Sequence, residues 1–164
     1  MSAGPTPVVA ARLAAALLGV TLLVYADLRT KSWAATELRA RGPRTVAGGL
    51  ARLHYQQNPG GAFAVLRRRP AVPIVSGAAM AAVVLGLLLH RVLRGVSNAP
   101  VTVGLVPLLG GTLGNLRDRV DHGYVIDFIE VGRWPVFNVA DVCLAVGLTA
   151  SVAGLIFRPR KGGG

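Results

Sequence analysis

The sequence predicts an all-α membrane protein: four transmembrane helices, with a polar section containing a short strand between the first two. Three observations carry this expectation. Four stretches, residues 8–26, 71–89, 99–116 and 139–157, are apolar over about the 20 residues that cross a bilayer. Hydrophobic residues make up 52% of the chain and charged residues only 15%, well short of the roughly 25% of a soluble domain. The apolar mass is Ala, Val, Leu and Gly with few aromatics, a composition suited to helices that pack closely in lipid. A chain of 164 residues is expected to form one domain.

The net charge of +11 raises nucleic acid as a partner. The arginines, however, cluster at the ends of apolar runs, where they meet lipid headgroups. Membrane lipid is therefore the expected partner and nucleic acid is not. The single cysteine, Cys143, reads as a small buried apolar residue. It has no partner for an intrachain disulfide, and no Cys/His spacing of a metal site is present, so neither metal nor cofactor is expected.

The first span carries Arg12, which can snorkel to the interface. Val24 and Ala26 also fit the small-residue positions of a signal-peptide cleavage site. The run is long for such a segment and leads directly into Asp27 and Lys31, which favours a retained helix. Those two are four residues apart and would pair on one face of a continuing helix. In the polar section, Gly42-Pro43 and Gly48-Gly49 mark turns. Residues 51–56 partly alternate, as a short strand does. Asn58-Pro59-Gly60-Gly61-Ala62-Phe63 reads as a tight loop, and Arg67-Arg68-Arg69 as an anchor on anionic headgroups.

Spans two and three form an antiparallel hairpin. Pro107 falls inside the third, where neighbouring helices can satisfy the freed carbonyl. Gly110 and Gly114 give the spacing of close helix approach, and Asn115 and Arg119 share a face. Arg133-Trp134-Pro135 reads as an interfacial turn. His54, His90 and His122 read as plain interfacial residues. The tail 159–164 is expected to be disordered.

Function concentrates between Gly110 and Asp141. This stretch holds five of the seven acidic residues: Asp118, Asp121, Asp127, Glu130 and Asp141. Asp127 sits inside an apolar run and Asp141 at the head of another, and acids in such places mark functional sites. Four spans put both on one side of the membrane with Asp27, Lys31, Asn58, Asp118, Arg119 and Asn138. Two facing carboxylates there would share a proton. The ionised member could deprotonate water, and the protonated one could polarise a carbonyl and later protonate an amine. A proton-coupled transporter and a helical scaffold are the alternatives; neither needs a carboxylate pair ringed by asparagines at one interface.

Five blocks in order carry a resemblance that runs nearly end to end: Asp27-Leu28-Arg29-Thr30-Lys31, Asn58-Pro59-Gly60-Gly61-Ala62-Phe63, Gly114-Asn115-Leu116-Arg117-Asp118-Arg119, Val125-Ile126-Asp127-Phe128 and Phe137-Asn138-Val139-Ala140-Asp141. With them the chain resembles the lipoprotein signal peptidases, the type II signal peptidases of bacteria. The resemblance implies an intramembrane aspartyl endopeptidase; a monomer is expected, and aspartyl chemistry needs no metal. The enzyme would remove the signal peptide from diacylglyceryl prolipoproteins on the amino side of the lipidated cysteine.

The family's catalytic aspartates fall on Asp127 and Asp141, and its supporting positions on Asp27, Lys31, Asn58, Gly60, Asn115, Asp118, Arg119, Asn138 and Ala140. Of these, Asn58, Arg119 and Asn138 are expected to hold the substrate backbone, while Asn115 and Asp118 brace them. The resemblance also implies a small extracytoplasmic sheet within residues 27–70, cytoplasmic termini, and an active site near the outer face of the bacterial cell membrane. The lysine and arginine count points the other way: six of eighteen share the side of the termini.

Overall fold

The computed structural model describes residues 6–60, 71–96 and 99–157. The expectations for residues 61–63, 67–69 and 158–164 lie outside the described residues. Four helices form the body: α1 (Pro7–Trp33), α2 (Ala71–Leu93), α3 (Ala99–His122) and α4 (Val139–Ile156). Each is part of a helical stretch long and apolar enough to cross a membrane. Leu17, Leu18 and Leu22 of α1 are more than half exposed, whereas its buried residues are Asp27 and Lys31. That inverts the pattern of a soluble helix, and lipid is the solvent that permits it.

The first helix does not stop near Ala26. It continues past Trp33 through one π-helical turn, Ala34–Leu38, and a last turn, Arg39–Arg41, and ends at Gly42 with φ 81°. Between Gly19 and Gly42 the sequence has no Gly or Pro, so polarity changes there but nothing breaks the backbone ladder. The π-turn carries Ala34 and Leu38, both buried against Ile126 and Phe128. It thereby docks the helix extension on the sheet.

The sheet is antiparallel, in the order β1 (Arg44–Val46), β2 (Ala51–Asn58), β3 (Val125–Val131). The turns at Gly42 and at Gly48-Gly49 form as expected, with φ of 63° and 97° at the latter pair. The sheet is not confined to the section between the first two helices: β3 arrives from the loop between α3 and α4. Its register sets Gln56 opposite Asp127 and Asn58 opposite Val125. The sequence hides this strand because Val125 to Phe128 are all buried, so the period-two alternation of a half-buried strand is missing. Phe137 then bridges to Ile129 and leads into α4.

α3 is the central helix and packs on α1, α2 and α4. Its closest seam is with α4. A methyl on Gly147 would lie 2.6 Å from Gly104 O and 2.6 Å from Leu108 N, and one on Gly111 would collide with Ala140 O. The Gly110/Gly114 pair read from the sequence serves the α1 contact, against Leu23 and Asp27. Cys143 is buried as expected.

Gly111→Ala is therefore expected to force α3 and α4 apart and to cost about 1–3 kcal/mol, the usual cost of overpacking. Gly86 of α2 has open space around it, so Gly86→Ala should leave the melting temperature in detergent unchanged or higher. Equal melting temperatures for Gly111→Ala and the parent would contradict the seam.

Candidate active site

A buried lysine organises one end of the bundle. Lys31 is 1% exposed. Its Nζ lies 2.7 Å from Asp27 Oδ2, 3.0 Å from Asp118 Oδ2 and 2.9 Å from Asn115 Oδ1. An ammonium has three donors, and here each has an acceptor. The acceptors carry the connection onward. Asp27 Oδ1 accepts from Ala140 N at 2.8 Å, at the start of α4. Asp118 Oδ2 accepts from Ile126 N at 3.0 Å, in β3. The pairing of Asp27 with Lys31 expected from their spacing thus exists, but it is no exposed bridge at a helix end. It fixes α1, α3, α4 and β3 to one another.

Two asparagines pass this order to the aspartates. Asn115 Oδ1 accepts from both Lys31 and Asn138 Nδ2, the latter at 3.1 Å, while Asn115 Nδ2 donates to Asp141 Oδ1 at 2.8 Å. Asn138 caps α4. Its Oδ1 accepts from Asp141 N at 2.9 Å, and its own N donates to Asp141 Oδ2 at 3.2 Å, a reciprocal capping box. Its Nδ2 also donates to Asp127 Oδ1 at 2.7 Å and Ile126 O at 3.3 Å. One side chain therefore touches both aspartates. Asp127 Oδ2 accepts from Asn58 Nδ2 at 2.9 Å, and Asn58 Oδ1 accepts from Gly60 N at 3.0 Å. Gly60 has φ 107°, a conformation that glycine alone adopts without strain.

Burial pushes the Asp127 carboxyl up to about 6 from its ordinary value near 3.8. The Asn58 hydrogen bond opposes the rise, the Asp141 carboxylate adds to it, and Asn138 and Lys31 oppose it. A carboxyl so placed keeps its proton to a higher pH than an ordinary aspartate does.

Asp141, Asn115, Arg119 and Gly60 line one cavity of about 710 Å³ between α2, α3 and α4. Its remaining wall is mostly apolar, with Val72, Met80, Leu108, Leu144 and Leu148. Asp141 therefore lines a groove that suits hydrocarbon, and Asp127, 1% exposed and outside that lining, is joined to it through Asn138. Arg119 donates through Nη1 to Asn115 O at 3.3 Å and lines the cavity.

Asn138 does not fit the substrate role expected for it. It is fully buried, and both polar ends of its side chain are held by Asn115, Ile126, Asp127 and Asp141. Ala140 is also fully buried and acts through its backbone N–H. Thr112 carries no role in the sequence reading, yet it lines the cavity one turn before Asn115. Its spacing of three from Asn115 and seven from Arg119 was the available signal.

The three histidines take no part in this network. His54 Nδ1 lies 3.2 Å from Glu130 Oε2 on the sheet, and His122 packs against Tyr124. Among the described residues, no group of three or more His, Cys, Asp or Glu side chains is placed to hold a metal ion.

Removing the lysine leaves buried carboxylates without their cation. Lys31→Met is expected to cost about 3–5 kcal/mol, as breaking a buried ion pair does. Adding Asp118→Asn, which keeps an acceptor for Ile126 N, should restore part of that loss. Thermal unfolding of the two variants in detergent checks this; a double variant no more stable than Lys31→Met would contradict it.

The sequence comparisons agree with the geometry. The family model for Signal peptidase (SPase) II matches residues 19–157. The chain is 34% identical over 133 residues to a lipoprotein signal peptidase of Moorella thermoacetica, covering 80% of this chain and 86% of that one. To a lipoprotein signal peptidase of Syntrophus aciditrophicus it is 32% identical over 153 residues, 88% of this chain and 94% of that one. A bacterial membrane enzyme solved by the in meso method at 2.3 Å resolution shares the fold, with a TM-score of 0.76 at 24% identity over 92% of this chain and 95% of that one. With most of its length matched, the chain belongs to the signal peptidase II family and is an aspartic-type endopeptidase.

Proposed function

We propose that Asp127 and Asp141 cleave the signal peptide from diacylglyceryl-modified prolipoproteins, on the amino side of the lipidated cysteine. The observation that carries this reading is the pair of carboxylates tied together by Asn138, one of which, Asp141, lines an apolar groove.

Asp127 and Asp141 hold one water and share one proton. The ionised carboxylate takes a proton from the water as its oxygen attacks the scissile carbonyl carbon. The protonated carboxyl donates a hydrogen bond to the carbonyl oxygen and stabilises the oxyanion that forms. As the C–N bond breaks, the leaving nitrogen takes a proton from the pair, which returns to its starting state. The proton belongs to the coupled pair, so the two roles are shared between the aspartates.

Arg119 and Asn58 are the polar side chains best placed to hold the peptide. Arg119 lines the cavity, and Asn58 lies against Asp127. Asn115, Asn138, Asp118, Asp27 and Lys31 keep the carboxylates in place. The diacylglyceryl chains lie along Val72, Met80 and Leu148, where affinity comes from buried hydrocarbon. The site faces the outer surface of the cell membrane, and the termini are cytoplasmic. A single cysteine introduced at Gly48 should then react with a membrane-impermeant thiol reagent in intact cells; labelling only after permeabilisation would reverse the orientation.

Cleavage of a lipidated prolipoprotein in detergent tests the chemistry. Asp127→Asn and Asp141→Asn should each lower kcat by at least about 10²–10⁴-fold, the usual contribution of a positioned acid or base, while remaining folded. Near-parental rates in both variants would remove the assignment.

The pH dependence follows from the raised Asp127. The active pair carries one proton, and the free enzyme loses it as pH rises through about 6. kcat/KM should therefore fall with pH on an alkaline limb near that value, with the limb of kcat displaced upward because bound substrate buries the pair further. A kcat/KM that stays flat between about pH 5 and 8 would contradict the shared proton.

A further inference from the structure

Two clefts follow one another along the half of the bundle that carries Pro7, away from the aspartates. The first, of about 310 Å³, is lined by Arg12 of α1, Arg91 of α2 and Thr102 of α3. Arg91 Nε donates to Thr102 Oγ1 at 3.2 Å, which orients the guanidinium. Arg12 reaches across from α1: its Nη1 lies 3.9 Å from where a Cβ on Gly95, just past α2, would sit. Two guanidinium groups from different helices thus share one cleft, at the depth where helix ends meet headgroups.

The second cleft, of about 240 Å³, is lined by apolar side chains alone, among them Leu13, Ala16, Leu88 and Leu109. The helical repeat joins the two. Ala16 lies four residues after Arg12, Leu88 three before Arg91, and Leu109 seven after Thr102. Each wall of the apolar groove therefore continues a wall of the basic cleft.

We propose that this is a binding site for one phospholipid with an anionic headgroup. Its phosphate sits between Arg12 and Arg91, and an acyl chain runs along the groove between α1 and α2. Guanidinium forks match phosphate oxygens in geometry as well as charge. The groove supplies hydrocarbon contact that free phosphate could not use. Such a lipid holds α1, and with it Asp27 and Lys31, against the rest of the bundle.

The test uses the full chain, delipidated in an uncharged detergent, with bound lipid read by native mass spectrometry. Phosphatidylglycerol should bind as a single molecule, more tightly than phosphatidylcholine of the same chains by roughly thirtyfold, the factor for two arginines near an anionic lipid. Arg12→Gln/Arg91→Gln should lose that preference, while Arg94→Gln should keep it. Ala16→Phe, which fills the groove and spares both arginines, should weaken phosphatidylglycerol binding and serves if the double variant does not fold. Equal affinity for the two lipids, an unchanged preference in the double variant, unchanged binding in Ala16→Phe, or displacement of the lipid by inorganic phosphate at equal concentration would each overturn the proposal.

Discussion

The rest of the structure depends on one buried ammonium. Burying Lys31 costs several kcal/mol unless every donor is paired and counter-charge is close. Asp27, Asp118 and Asn115 meet that condition. Because these acceptors come from two helices, and their remaining bonds reach the starts of α4 and β3, the lysine cannot be satisfied unless those elements assemble. A polar network of this kind in a membrane bundle specifies a single arrangement, which apolar packing in lipid does only weakly. The glycine seam between α3 and α4 lets the backbones approach closely enough for Asn115 and Asp141 to meet.

The same contacts that build the fold position the two aspartates. Asp141 completes the capping box that starts α4, and Asp127 is carried on an edge strand whose N–H groups are anchored at Asp118 and Phe137. Neither aspartate depends on a loop for its placement. A site built on rigid elements keeps reacting groups within the small tolerances that catalysis requires. Asn138 unites the two duties: it caps the helix, and it fixes one carboxylate against the other.

Much of this is legible in the residues. The four spans follow from hydropathy, and the aspartates stand out because carboxylates are rare among apolar neighbours. The Asp27–Lys31 pairing follows from a spacing of four on a continuing helix. Other features leave no local mark. That the first helix runs on to Arg41 is marked only by the lack of Gly and Pro between Gly19 and Gly42, since polarity does not end a helix. β3 is buried at four successive positions, so its sequence lacks alternation. The inward role of Asn138 depends on three tertiary partners, which no spacing along the chain reveals. Of the basic residues on the side of the aspartates, Lys31 and Arg119 belong to the network, while Arg41 and Arg44 pair with Glu37 and Arg117 with Asp121 outside it.

The proposed mechanism requires that Asp127 and Asp141 act as one group holding one proton. Difference infrared spectroscopy across a pH titration reads that proton directly, through the carbonyl stretch of a protonated carboxylic acid. A shared proton gives a band that disappears with a midpoint near the raised Asp127 value of about 6 and is absent from Asp127→Asn. A titration without such a band, or an identical band in Asp127→Asn, would contradict it.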